Sequence, residues 1–298
     1  MRPSPTNRDP RRAERSCVCA FALGLLWLAG AGVAEAQCIL RAQAGSAFQE
    51  QTVGIAAAND STLFGSTGTT ASYGELSAFS VVGLSGSGSD GGSLPIPVAF
   101  YEDEWTVTIP SQPGLFSGTL TVAFILTGEP TIDLSPAGIG AIHNMNTSYQ
   151  LNVTRNAGAI FGVSGGRIQT TGALPEMSIL GDVPAPGRLL VDFPVVFGVP
   201  FTLGFELIST TGGNQFIPPG LTGNVRGEST MQLFWDGIVS LEDPSGNDLL
   251  AFADVTTCSG TDWRESQAPP PVPLGPFVAL GVSAAAIALV ARGRVETR

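Results

Sequence analysis

The sequence predicts an all-β protein: an antiparallel two-sheet sandwich of jelly-roll type, set between an N-terminal signal peptide and a C-terminal transmembrane helix. Three observations predict it. Apolar residues through the middle of the chain recur with period two rather than 3.6. The 38 glycines and 22 prolines among 298 residues punctuate those runs at short intervals. Apolar segments at the two ends are of the kinds that export machinery and bilayers read.

Residues 1–36 are the first element. Arg2, Arg8, Arg11, Arg12 and Arg15 precede an apolar run from Cys17 to Val33, which closes on Ala34-Glu35-Ala36 before Gln37. A basic start, a short apolar stretch and a small-x-small site make a secretory leader, so cleavage is expected after Ala36. The run falls short of the ~20 residues that a span requires.

Residues 37–267 form the expected exported domain. In 119–126, Leu120, Val122, Phe124 and Leu126 share one face; in 201–207, Phe201, Leu203, Phe205 and Leu207 do the same, opposite Thr202, Gly204 and Glu206. Weaker runs lie at 78–84, 96–109, 148–154, 159–163, 188–197, 231–241 and 249–255, which makes about nine strands. No amphipathic helix stands between them, so alternating βα units are excluded, because parallel crossovers need one. A sheet with one apolar face must bury it against another, hence the sandwich. The mostly Gly/Ser stretch 83–93 predicts a flexible loop.

Residues 268–275 are a Pro-rich linker, and 276–298 a transmembrane helix with a basic tail. Val272 to Ala291 is 20 residues without a charge, closed by Arg292, Arg294 and Arg298. As a helix this run is about 30 Å long, the hydrocarbon thickness of a bilayer. The arginines then stay cytoplasmic.

The tail resembles the sorting signals of bacterial PEP-CTERM-type proteins. The matching residues are Val272-Pro273-Leu274-Gly275-Pro276, the apolar run, and Arg292-Gly293-Arg294; no Pro-Glu-Pro is present, so the match is to a Val-Pro-Leu variant. The resemblance implies an exosortase-type processing enzyme as partner, and an ordinary single-span anchor is the alternative. A second stretch is similar to the last hairpin of the extracellular sandwich in such proteins: Met231-Gln232-Leu233-Phe234-Trp235, then the turn 243–248, then Ser259-Gly260-Thr261-Asp262-Trp263. That likeness implies a surface or matrix component with no assigned reaction.

Charge and cysteine usage bound the function. The whole chain carries −11, and residues 37–267 hold 21 carboxylates against six arginines. Phosphate binding needs clustered cations that this segment lacks, so no nucleic acid is expected. After leader removal Cys38 and Cys258 remain, an even pair for an oxidising compartment, and a disulfide between them is expected. Two distant thiols and a single histidine, His143, are too few for a metal site, and no cofactor is expected.

Several motifs invite chemistry and are weighed against plain structure. Gly162-Val163-Ser164-Gly165-Gly166 fits a nucleophile elbow by letter, but a β-like stretch follows it and the histidine precedes it, so a Gly-rich turn is expected. Gly86 to Gly91 matches a dinucleotide loop by letter, yet Pro95 and Pro97 follow where a helix must begin. Asp243 to Asp248 lacks the glycine that a calcium loop needs at its sixth position and reads as a hairpin turn. Glu102-Asp103-Glu104 is the densest acidic cluster, and alternation sets Asp103 on the face of Tyr101 and Trp105. If Trp105, Val107 and Ile109 define the core face, Asp103 sits at a rim or a bulge intervenes. Tyr101, Asp103 and Trp105 are therefore the candidate carbohydrate rim, while Trp235 and Trp263 read as packing residues.

The expected protein is not an enzyme. It is an exported structural or adhesive component of the envelope or extracellular matrix, membrane-anchored by its C-terminus or released after processing. The alternative is a carbohydrate-active protein, lectin-like or a glycoside hydrolase, acting on extracellular polysaccharide.

Overall fold

The computed structural model describes residues 38–86, 88–135, 142–171, 175–180 and 187–269. The expected leader with its cleavage residues Ala34, Ala36 and Gln37 lies outside the described residues, as do Val272-Pro273-Leu274-Gly275-Pro276, the apolar run, and Arg292, Arg294 and Arg298. Among the described residues no helix is long and apolar enough to cross a membrane.

Two antiparallel sheets carry nearly all of the described chain. The strands are β1 (Ile39–Ala44), β2 (Ala47–Gln51), β3 (Ala56–Thr62), β4 (Gly65–Ser72), β5 (Glu75–Gly86), β6 (Gly88–Ser93), β7 (Val98–Thr108), β8 (Ser117–Ser135), β9 (Ile142–Arg155), β10 (Gly158–Thr171), β11 (Pro175–Leu180), β12 (Gly187–Val196), β13 (Phe201–Ile217), β14 (Gly223–Glu242) and β15 (Asp254–Thr257). The large sheet runs β11-β10-β9-β13-β7-β1-β2, with β15 added to β7 and β6 to β13; the small sheet runs β12-β8-β14-β5-β4-β3. Consecutive strands form meanders within each sheet, β3-β4-β5 in one and β9-β10-β11 in the other. Elsewhere successive strands alternate between the sheets, from β5 to β7, β8 and β9 and then through β12, β13 and β14, and the orders β5-β14-β8-β12 and β7-β13-β9-β10 that result are the paired four-strand orders expected of a jelly roll.

Alternation places the core. Along β7, Ala99, Tyr101, Asp103, Trp105 and Val107 are buried, with half-buried residues between them. Across the interior they meet β14 of the small sheet, where Trp105 lies 5.5 Å from Trp235 between ring centroids. Along β9 and β13 the buried positions follow the same period, which fixes both registers, because a slip of one residue would turn every apolar side chain outward.

Two expectations about elements are corrected. The stretch 83–93 pairs as strand on both sides of residue 87. Gly83 to Gly86 pair with 223–226 in the small sheet, and Gly88 to Ser93 with 212–217 in the large one, so the chain changes sheets here. Glycine and serine are poor strand formers, but pairing against the equally bare Gly212-Gly213 overrides propensity. The run 249–255 is a single 3-10 turn at Leu250–Phe252 followed by the short β15, since β14 has already ended at Glu242.

Candidate functional site

The three residues of the expected carbohydrate rim are brought together, but inside the molecule. Tyr101, Asp103 and Trp105 are 1 %, 0 % and 0 % exposed, on the inward face of β7. The rim is therefore corrected to an interior cluster, and no bulge intervenes in the register of β7 with β13. Asp103 faces the core because its charge is answered there. Ser259 donates to it from its backbone N–H at 3.0 Å and from its Oγ at 2.5 Å, and Trp263 donates from Nε1 at 2.9 Å. A buried carboxylate without such donors would be prohibitive.

These donors come from the segment 258–267, which closes one end of the interior. Cys258 bonds to Cys38 and donates its N–H to the Glu104 carbonyl at 2.9 Å. The Trp263 ring stacks on Tyr101 and Trp105, with centroids 5.7 and 5.3 Å away, and meets Trp235 edge-on at 5.0 Å. Trp235 returns a bond from its Nε1 to the Trp263 carbonyl at 2.7 Å. The two stretches that read separately in the sequence, 101–105 and 259–263, are thus one structural lock, with Trp235 and Trp263 as packing residues.

Electrostatics follow from this enclosure. Burial raises the Asp103 carboxyl above the usual carboxylate range, against the Ser259 and Trp263 donors, which favour its charged form. Burial, and then the Asp103 charge, push the Tyr101 phenol far up, so it stays protonated. Cys38 Sγ, Asp103 and Cys258 Sγ lie within 4.8 Å of one another. Because the sulfurs are joined, the grouping offers only one carboxylate to a cation.

The remaining motifs are structural. Ser164 lies mid-strand in β10, opposite Gln150 of β9, where the nucleophile elbow would need a strand-to-helix turn. Asp243 closes a tight turn: its Oδ1 accepts from the N–H groups of Ser245 and Asn247 at 2.8 and 2.9 Å, and its Oδ2 from the Asn247 amide at 2.8 Å. Those bonds, the Asn247 side chain first, hold the carboxyl below its usual range in solvent. His143, buried on β9, is held below the usual imidazole range by desolvation.

A surface that the sequence reading missed lies on the outer face of the large sheet. Outward positions of β9 run Asn144, Asn146, Ser148, Gln150, Asn152 and Thr154, an uncharged polar face. Two open depressions lie on it. One, of about 310 Å³, is lined in part by Asn146, Ser148, Gln150, Ser164 and Thr210. The other, of about 530 Å³, is lined by Gly91, Gly92, Asn144, Asn146, Gly212, Gly213 and Asn214. Asn146 borders both. The signal was present in the sequence as alternation of amides and hydroxyls, and only strand pairing shows that Thr210 and Asn214 join them. Comparison with protein-family models, with curated proteins and with solved structures finds no match.

Proposed function

We propose that the chain is an exported, non-catalytic structural or adhesive component of the cell envelope or of an extracellular polysaccharide matrix. The observation that supports this reading is the Cys38–Cys258 disulfide, which joins the first described strand region to the closing segment across 220 positions of sequence. Disulfides persist in oxidising compartments and are rare in the cytosol. On this reading residues 1–36 direct export, 268–275 space the domain from the membrane, and 276–298 anchor it or present it to an exosortase-type enzyme.

A second reading, recognition of extracellular polysaccharide, is favoured by the uncharged polar face of β9 and is compatible with the first. Fractionation of the native host tests export. The protein is expected in envelope or medium, beginning at Gln37, with its thiols unreactive toward maleimide until reduced. Cytosolic protein with free Cys38 and Cys258 overturns the proposal. Intact mass separates the two fates of the tail: a species ending near Gly275 has been processed, and one retaining Arg298 is anchored.

A further inference from the structure

We infer that the outer face of the large sheet holds an extended trough for a neutral polysaccharide, running along β9 from Gln150 to Ile142 and ending on the ring of Phe216. This rests on the export reading, since the polymer must lie outside the cell. It differs from the rim expected on β7, whose side chains are interior.

Shape is the first argument. The two depressions adjoin at Asn146, which lines both, and together they follow β9 from Gln150 to Asn144. From Gln150 to Ile142 is eight residue steps of strand, about 27 Å at the usual rise. That length suits several units of an extended polymer rather than one small molecule. Glycines open its floor: Gly166 stands opposite Ser148, and Gly212 opposite Asn146, where a side chain would narrow the passage.

Chemistry is the second. The amides of Asn144, Asn146 and Asn214 bond to no side chain or backbone group among the described residues, and each presents two donors and one acceptor. A sugar ring presents neighbouring hydroxyls that both donate and accept, so an amide can engage two at once. Ser148 Oγ and Thr210 Oγ1 are held 2.6 Å apart beside them. All of these side chains stand on paired strands rather than loops, with inward neighbours such as Met145 and Thr147 buried, so the backbone spacing of the array is set before a ligand arrives. At the far end Phe216 is 48 % exposed and paired with Ile142, 50 % exposed. Together they offer an apolar plate for the C–H face of a pyranose.

Charge is the third, and it selects among polymers. No carboxylate and no arginine lines either depression. Without cations nothing there would hold phosphates or uronates, and the acidic domain around it repels polyanions.

Affinity electrophoresis of the purified, disulfide-bonded exported protein tests the inference, with hydroxyethylcellulose, galactomannan or dextran in the gel and alginate as the anionic comparison. At least one neutral polymer is expected to retard the protein while alginate does not. Asn146→Ala with Asn214→Ala, and separately Phe216→Ala, are expected to weaken retardation about tenfold. Asn146→Trp, which plugs the shared waist, is expected to abolish it. Asn224→Ala, at an exposed position of β14 in the small sheet, should leave retardation unchanged. All of these positions are exposed, and near-ultraviolet circular dichroism confirms that each variant is folded. Failure of all three neutral polymers to retard the parent protein overturns the trough, as does equal retention by alginate or an equal loss in Asn224→Ala. An exported, disulfide-bonded protein that ignores every polymer sinks this inference alone. Cytosolic protein with free thiols sinks the export reading whatever it binds.

Discussion

The two halves of β13 line one interior with opposite chemistry. Its first inward residues are Phe201, Leu203, Phe205 and Leu207; the next are Ser209, Thr211, Gly213 and Gln215. The first half belongs to an aromatic interior in which Phe205 lies 4.7 Å from Tyr101 and 5.4 Å from Phe124 between centroids. That half is stabilised by area and ring packing, which are large but weakly directional. The second half is joined to the small sheet by hydroxyls. Ser80 Oγ lies 2.7 Å from Thr211 Oγ1, Ser209 Oγ donates to the Ser229 carbonyl at 3.0 Å, and Thr211 Oγ1 donates to the Ser80 carbonyl at 3.1 Å.

Small groups at that end also let the sheets approach. A Cβ on Gly227 would meet Met145 Sδ and Thr211 Cγ2 at 2.8 Å each. The lesson is that one strand can use bulk to hold a core together and hydrogen bonds to fix a spacing. The polar half lies beneath the trough, because the inward Met145 and Thr147 alternate with the outward Asn144 and Asn146. It therefore sets the shape of the outer face as well as the inner one.

The largest expected effect comes from breaking the lock on the aromatic side. Cys38→Ser with Cys258→Ser should cost up to about 5 kcal/mol, read as a lowered denaturant midpoint, because a loop of this length gains most from closure. Asp103→Ala should cost about 3 kcal/mol, since it leaves the buried Trp263 donor and the two half-buried Ser259 donors without their acceptor.

The same residue gives a pH test. Its folded carboxyl lies above its unfolded value of about 3.9, so the stabilisation is fully present below that pH. It is lost as pH rises through the folded value, and Asp103→Asn should remove that decline from a plot of thermal midpoint against pH.

Within β13, Leu207→Ala should cost about 3 kcal/mol through the cavity it leaves. Thr211→Val, two inward positions further on, should cost less, about 2 kcal/mol, the net value of its two hydrogen bonds to Ser80. Equal losses in the two would break the comparison. Gln215 sharpens it from the other side: it is 2 % exposed and neither amide atom has a partner among the described residues. Gln215→Met should stabilise the domain by about 1 kcal/mol, read as a raised denaturant midpoint.

Much of the frame was legible in the sequence, because apolar alternation is a local property. Six of the nine expected runs lie within strands and two more, 96–109 and 188–197, overrun β7 and β12 by one or two residues at an end, and the cysteines at the two ends of the domain are joined as expected. The strands that escaped notice are built of small or polar residues. In β3 the inward residues are Ala56 and Ala58, and in β4 they include Thr67, Thr69 and Ala71, which carry too little apolar contrast to show a period. Alternation did put Asp103 with Tyr101 and Trp105. It could not show that Ser259 and Trp263, about 160 positions away, would make a buried carboxylate tolerable and turn a supposed rim into an interior lock. The trough was hidden for the same reason, since its width is set by pairing between β9, β10 and β13.

The closing segment decides how the domain answers a pull. The described residues end at Pro269, two positions after Gln267, whose N–H bonds to the Trp235 carbonyl at 2.8 Å, and upstream of it lie the Trp263 ring and the covalent join to Cys38. Tension entering at residue 269 can peel away only about ten residues before it reaches that join. From there the load passes through the disulfide to β1, so a pull taken up at or before β1 bypasses the strands between the two cysteines rather than unravelling them. A body wired in this way behaves under traction as a closed ring with a short leash.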